Sequence, residues 1–143
     1  MRIRPAKPEE REELEELQRR ASLALDEYRA QLEAHPDAIH LPAEQLALGQ
    51  VHVAEENDKP AGFVAVIVSE KAAELDGLFV EPSLWGRGIG RALVDHSVHL
   101  ARRKGLTLAV VASPTARGFY ERCGFAVEGE AETRFGPALR MSR

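Results

Sequence analysis

Cysteine occurs once in 143 residues, at Cys123. A single thiol excludes an intrachain disulfide, a cysteine-rich zinc site and a CxxC redox pair. Long apolar runs are missing too. The longest, at 63–68 and 106–112, are strand-sized and far too short to span a bilayer. The opening residues, MRIRPAK, run into charged helix-forming sequence and not into the apolar core of a secretory leader. Nor does one sign of charge dominate: 19 Lys and Arg stand against 23 Asp and Glu, a formal net charge of -4. That balance gives no basic footprint for nucleic-acid phosphates. With only 11 Gly and 8 Pro, collagen-like and disordered readings also fall away. What remains is one globular domain over 1–143, expected to be cytoplasmic, a monomer or homodimer, with no membrane or nucleic-acid partner.

The period of the apolar residues changes along the chain. Ile3 to Pro5 suits a short strand, and Pro8 with Glu9 and Glu10 suits the start of a helix. Leu14, Leu17, Ala21, Leu25, Tyr28 and Leu32 recur at helical spacing, which predicts one long helix over 9–34 or two meeting near Ser22. His35-Pro36-Asp37 ends it. Residues 36–49 read as a loop with one short turn near 43–48. Strands follow at 51–55, 61–68 and 72–80, with a turn at 57–60. A glycine-rich segment then opens a helix running to about Lys104, closed by Gly105. A strand at 106–112, a short helix entered through Ser113-Pro114 and ended at Gly124, and two strands at 125–128 and 134–141 complete the chain. The expected class is α/β (α+β): an antiparallel meander first, then a strand–helix–strand unit.

The chemistry concentrates where a strand meets glycines and then a helix, LFVEPSLWGRGIGRALV at 78–94. Gly86, Gly88 and Gly90 let a backbone approach a ligand closely, and the first helical turn offers N–H groups without internal partners. Together they suit an anion, with a diphosphate as natural occupant, and Arg87 and Arg91 stand ready to add guanidinium hydrogen bonds. The bland alternative is a tight connection with no ligand. The dinucleotide fingerprint would need glycine where Leu93 stands, and no GxxxxGK[ST] loop occurs.

This segment closely resembles the coenzyme-A loop of the GNAT superfamily, N-acetyltransferases that move an acetyl group from acetyl-CoA to an amine. The family pattern of Gln or Arg, two residues, Gly, one residue, Gly or Ala falls on Trp85, Gly88 and Gly90, with Trp85 departing from it. A second stretch, ARGFYERCGF at 116–125, is similar to the family's A-x-x-x-Y-E-x-x-G-F segment. Asn often precedes that alanine by three residues; Ser113 stands there. The resemblance covers 72–141 as an acetyl-CoA-binding core and leaves 1–50 as the acceptor side. It implies a mixed central sheet of six to seven strands flanked by about four helices.

It also implies roles. The backbone of Leu78, Phe79 and Val80 would pair with the pantetheine arm, and an N–H there, from Leu78, would hold the developing oxyanion. The amides and side chains of Gly86, Arg87, Gly88, Ile89, Gly90 and Arg91 would bind the diphosphate, with Ser113, Arg117 and Tyr120 as further ligand contacts. Glu74 is the candidate general base, and Asp76, on the same strand face, its rival. Either reads equally as a solvated strand carboxylate. Tyr120 matches the family tyrosine that donates to the thiolate; otherwise it is a packing aromatic. No metal is expected. His96 and His99 read as helix residues without a third ligand, His40, Glu44 and Tyr28 as weak acceptor-side candidates, and Cys123 as buried filler. A rival function is a GNAT-fold module that binds acyl-CoA without turnover, or an interaction protein built on the Glu-rich helix at 9–33.

Overall fold

The computed structural model describes all 143 residues. In chain order it contains β1 (Arg2–Pro5), α1 (Arg11–Leu23), α2 (Arg29–Ala34), α3 (Ala43–Ala47), β2 (Val51–Glu56), β3 (Lys59–Val68), β4 (Ala73–Val80), α4 (Ile89–Arg102), β5 (Leu108–Ala112), α5 (Arg117–Arg122), β6 (Ala126–Thr133) and β7 (Gly136–Ser142). Single 3-10 turns at Pro8–Glu10, Pro36–Ala38, Pro82–Leu84 and Pro114–Ala116 each begin with a proline. The fixed φ of that residue suits the first position of a helical turn. The strand order is β1-β2-β3-β4-β5-β7-β6. The sheet is mixed: β4 and β5 are parallel, whereas β1–β2, β2–β3, β5–β7 and β6–β7 are antiparallel. The chain divides into two compact units, Met1–Ala65 with Gly77–Leu93, and Val66–Asp76 with Val94–Arg143.

In the first unit, Asn57 and Asp58 take positive φ values of 52° and 63° and turn β2 into β3. These residue types tolerate the left-handed region that a two-residue hairpin needs. Leu14 and Leu17 from α1 enter a cluster with Leu41, Leu46, Val51, Val53, Phe63 and Ala65. Each buried leucine contributes about 2 kcal/mol. Phe79 packs on this cluster, its ring centroid 5.3 Å from that of Phe63. A Cβ on Gly62 would lie 2.8 Å from the Phe79 carbonyl oxygen, so only glycine permits β3 to approach β4 there. Arg4 joins the two ends of this layer. It donates to Glu55 at 2.6 Å and to Glu10 at 2.8 and 2.9 Å. The Arg4 guanidinium holds the Glu10 carboxyl below its ordinary pKa.

The helical stripe resolves into two helices. Leu14, Leu17 and Ala21 are buried, but α1 stops at Leu23 and Leu25 is exposed. Arg29 donates from Nε to the Leu23 carbonyl at 2.9 Å and pairs with Asp26 at 2.7 Å. These local side-chain bonds satisfy a carbonyl that a continued helix would have used.

In the second unit β4 and β5 pair through Ala73↔Leu108, Glu74↔Ala109 and Leu75↔Val110. Arg143 closes the unit by donating to Asp95 and to the Cys123 carbonyl. Cys123 itself is buried. The final hairpin is longer than the sequence indicates, with β6 running to Thr133. Its tip is held by the Thr133 hydroxyl donating to the Gly136 carbonyl at 2.8 Å, and Gly136 has φ 121°. Charged residues that read as loop therefore pair across the strands.

Candidate functional site

β4 ends at Val80 and the chain makes one 3-10 turn before the glycines. Glu81 is fixed at that corner: its N–H donates to the Ala61 carbonyl at 2.8 Å, and its carboxylate accepts two hydrogen bonds from Arg20, at 3.0 and 2.8 Å. The Trp85 indole N–H donates to the Val80 carbonyl at 2.8 Å. Neither tie was legible beforehand. Arg20 and Glu81 are 61 residues apart, and charged residues on α1 look alike in sequence.

Beyond the corner, Gly86 and Gly88 both take φ 83°, and a Cβ on either would project into open space. Ile89 is buried, so its side chain belongs to the core and only its backbone faces the loop. The first in-helix bond of α4 runs from the Ala92 N–H to the Gly88 carbonyl at 3.0 Å. The amides of Gly88, Ile89 and Gly90 thus precede any acceptor within the helix. These backbone donors stand at the positive end of a 14-residue helix. Arg87 and Arg91 are exposed beside it. Arg87 also borders a groove of about 440 Å³ together with Glu13, Arg20, Glu56, Lys59 and Glu81.

On β4 the burial alternates, with Ala73 and Leu75 inward and Glu74 and Asp76 exposed on the opposite face. The two carboxylates therefore share a face, as their spacing requires. Leu78, Phe79 and Val80 are half-buried. Phe79 spends its ring on the core, which leaves its backbone groups as the part able to meet a ligand.

Tyr120 lies on α5 in the second unit and is 7% exposed. It is flanked by Phe119 and Phe125, with ring centroids at 5.1 and 5.3 Å in edge-on arrangement. Burial pushes the phenol pKa up, so the group keeps its proton at neutral pH. Ser113 occupies the cap position before Pro114, but its side chain makes no capping hydrogen bond. The expectation that it caps the turn holds for position and not for chemistry. Arg117 is half exposed and pairs with Glu121 at 3.4 Å. His40 pairs with Glu15 at 3.3 Å, Glu44 is exposed on α3, and Tyr28 precedes α2 with its phenol pKa raised by burial. Burial, with a smaller effect from His99, lowers the pKa of His96.

The seven-stranded mixed sheet, with β4 and β5 parallel and a glycine turn leading from β4 into α4, matches the acyl-CoA N-acyltransferase fold. The profile of the Acetyltransferase (GNAT) family matches residues 11–125. The chain belongs to that family and is an N-acetyltransferase. It is 36% identical over 137 residues to the peptidyl-lysine N-acetyltransferase YjaB of Salmonella typhimurium, covering 91% of this chain and 86% of that protein. The solution structure of apo-form YjaB from Escherichia coli has a TM-score of 0.71 at 28% identity, covering 99% of this chain and 95% of that one. The PaiA N-acetyltransferase of Thermoplasma acidophilum, solved in complex with coenzyme A, has a TM-score of 0.79 at 21% identity, covering 99% and 97%. No helix is long and apolar enough to cross a membrane.

Proposed function

We propose that the protein, as one catalytic domain over 1–143, transfers the acetyl group of acetyl-CoA to a lysine side-chain amine of a peptide or protein. The observation that carries the donor is the pair of left-handed glycines, Gly86 and Gly88. They hold open a space that a Cβ would fill, at the N-terminus of α4. A diphosphate fits this chemistry, since it needs closely spaced N–H donors and no particular side chain. The acceptor rests on the similarity to the YjaB peptidyl-lysine acetyltransferase.

In this reading the backbone of Leu78, Phe79 and Val80 receives the pantetheine arm as an added strand. The Leu78 N–H donates to the thioester oxygen as negative charge develops there. A lysine ammonium has a pKa of roughly 10.4 and attacks only after losing a proton. Glu74 takes that proton, directly or through a water. The amine nitrogen bonds to the carbonyl carbon and gives up its second proton to water, the carbon–sulfur bond breaks, and coenzyme A leaves as thiolate. A thiol near pKa 8.5 is a weaker base, once ionised, than a phenolate above 10. Tyr120, with its pKa raised further, therefore stabilises that thiolate by donating a hydrogen bond while retaining its proton. No acyl-enzyme is required, which leaves buried Cys123 a packing role.

Incubation of the full chain with acetyl-CoA and a lysine-containing peptide, read by mass spectrometry, tests the acceptor. A 42 Da gain of roughly one acetyl group per turnover is expected at lysine, and none on a peptide whose lysines are blocked. Acetylation of free amines such as polyamines, with none on peptides, would overturn the lysine assignment. Glu74→Gln should lower kcat/KM near pH 7 by about a hundredfold, with recovery at alkaline pH as the amine deprotonates by itself. A larger loss in Asp76→Asn would move the base to Asp76.

A further inference from the structure

Trp85 is the only tryptophan of the chain and stands where the family pattern has Gln or Arg. The residue is 45% exposed, so core packing does not explain it. Its one polar hydrogen is spent on the Val80 carbonyl at 2.8 Å. An indole has no second donor to give a phosphate oxygen. The hydrogen bond instead closes a loop from the last residue of β4 to the residue before Gly86. Within that loop the Leu84 N–H donates to the Glu81 carbonyl at 2.9 Å and the Trp85 N–H to the Pro82 carbonyl at 3.3 Å. Outside it, the two-pronged Arg20 contact fixes Glu81. The strand end and the corner are thus held, and the glycines that follow are held at their entry by Trp85.

We propose that Trp85 is a positioning residue for the donor's diphosphate. Its indole straps the start of the glycine loop to the end of β4 and so aims the amides from Gly86 to Gly90. This rests on the acetyl-CoA reading of the loop. The physical gain is entropic: glycines are the most mobile residues, and a loop ordered before binding loses less freedom when the ligand arrives.

The test compares wild type, Trp85→Phe and Trp85→Ala with two donors, acetyl-CoA and S-acetylpantetheine, which keeps the thioester and lacks the diphosphate. Removing the N–H in Trp85→Phe should raise Kd and KM for acetyl-CoA about five- to tenfold, with kcat retained. The kinetics with S-acetylpantetheine should be unchanged, and Trp85→Ala should match Trp85→Phe within about twofold. If Trp85→Phe binds acetyl-CoA like wild type and only Trp85→Ala weakens, the exposed ring face is the binding element and the strap is wrong. Equal losses with both donors also overturn it, because the effect would not pass through the diphosphate. Wild-type Trp85 supplies an independent reading free of any variant's folding. Its fluorescence anisotropy before ligand should report tumbling with the whole protein, and fast local depolarisation overturns the strap. Absence of acetyl-CoA binding by folded wild type would bring down the donor assignment itself, which the anisotropy distinguishes from a missing strap.

Discussion

The glycine loop of the first unit and the tyrosine helix of the second solve opposite problems. The loop is exposed, its Cβ positions open into empty space, and the groups it offers are backbone amides. Tyr120 is buried between two aromatic rings, and the group it offers is one hydroxyl. A site made of backbone needs its entrance residue, here Trp85, for the conformation that residue holds and not for a ligand contact of its own. What it cannot tolerate is a change of backbone conformation. A site made of one hydroxyl is the reverse, since any residue lacking that atom removes it however well it packs.

Substitutions that keep one property and remove the other break this contrast most sharply. Gly88→Trp forces a side chain onto φ 83° and fills the open space, so acetyl-CoA affinity should fall by about a hundredfold, the loss of two hydrogen bonds to a charged group. Titration calorimetry on protein with an unchanged circular dichroism spectrum reads this, and undiminished binding would deny the loop its role. Tyr120→Phe keeps the ring packing and deletes the hydroxyl. It should lower kcat by roughly ten- to fiftyfold with little change in acetyl-CoA KM or melting temperature. A stability loss with unchanged kcat would make Tyr120 a packing residue.

Glu10→Gln separates stability from both sites. Because Arg4 lowers the Glu10 pKa, the pair's contribution is fully present above the unfolded carboxyl value of about 4.3 and is lost as pH falls through the lower folded value. The variant should therefore be about 1–2 kcal/mol less stable at neutral pH, with a flatter acid limb in urea melts from pH 7 to 3. KM and kcat should stay at wild-type values. The smallest effect is expected at Arg117→Ala. Loss of that half-exposed pair with Glu121 should change stability by less than about 0.5 kcal/mol. A rise in acetyl-CoA KM in the same variant would support the guanidinium as a contact of the donor, and an unchanged KM would leave Arg117 a surface ion pair.

How far the sequence reaches differs between the two regions for the same reason. The glycine loop was legible because glycines alternate at 86, 88 and 90 just before a helix. That Gly86 and Gly88 both hold a left-handed φ of 83° came from the structure. Tyr120 was legible only through the family segment around it, since nothing local distinguishes it from Phe119. The Asn57-Asp58 turn and the helical starts at Pro8 and Pro114 followed from local rules, whereas the 3-10 turns at Pro36–Ala38 and Pro82–Leu84 did not. The break after Leu23 was half legible: no Gly or Pro marks it, and it depends on where the Arg29 and Asp26 side chains settle.

The sequence by itself determined the order of strands and helices, the family, and the two segments that match the family's motifs. Each rests on period, on φ restriction or on contiguous motifs, which are properties of neighbours along the chain. Only the tertiary structure decided that Arg20 grips Glu81, that Trp85 reaches back to Val80, that Phe79 turns its ring into the core, and that Ser113 caps nothing. Those outcomes depend on which distant groups are within about 3 Å of one another. That distance is set by packing, and the spacing of residues in sequence does not encode it.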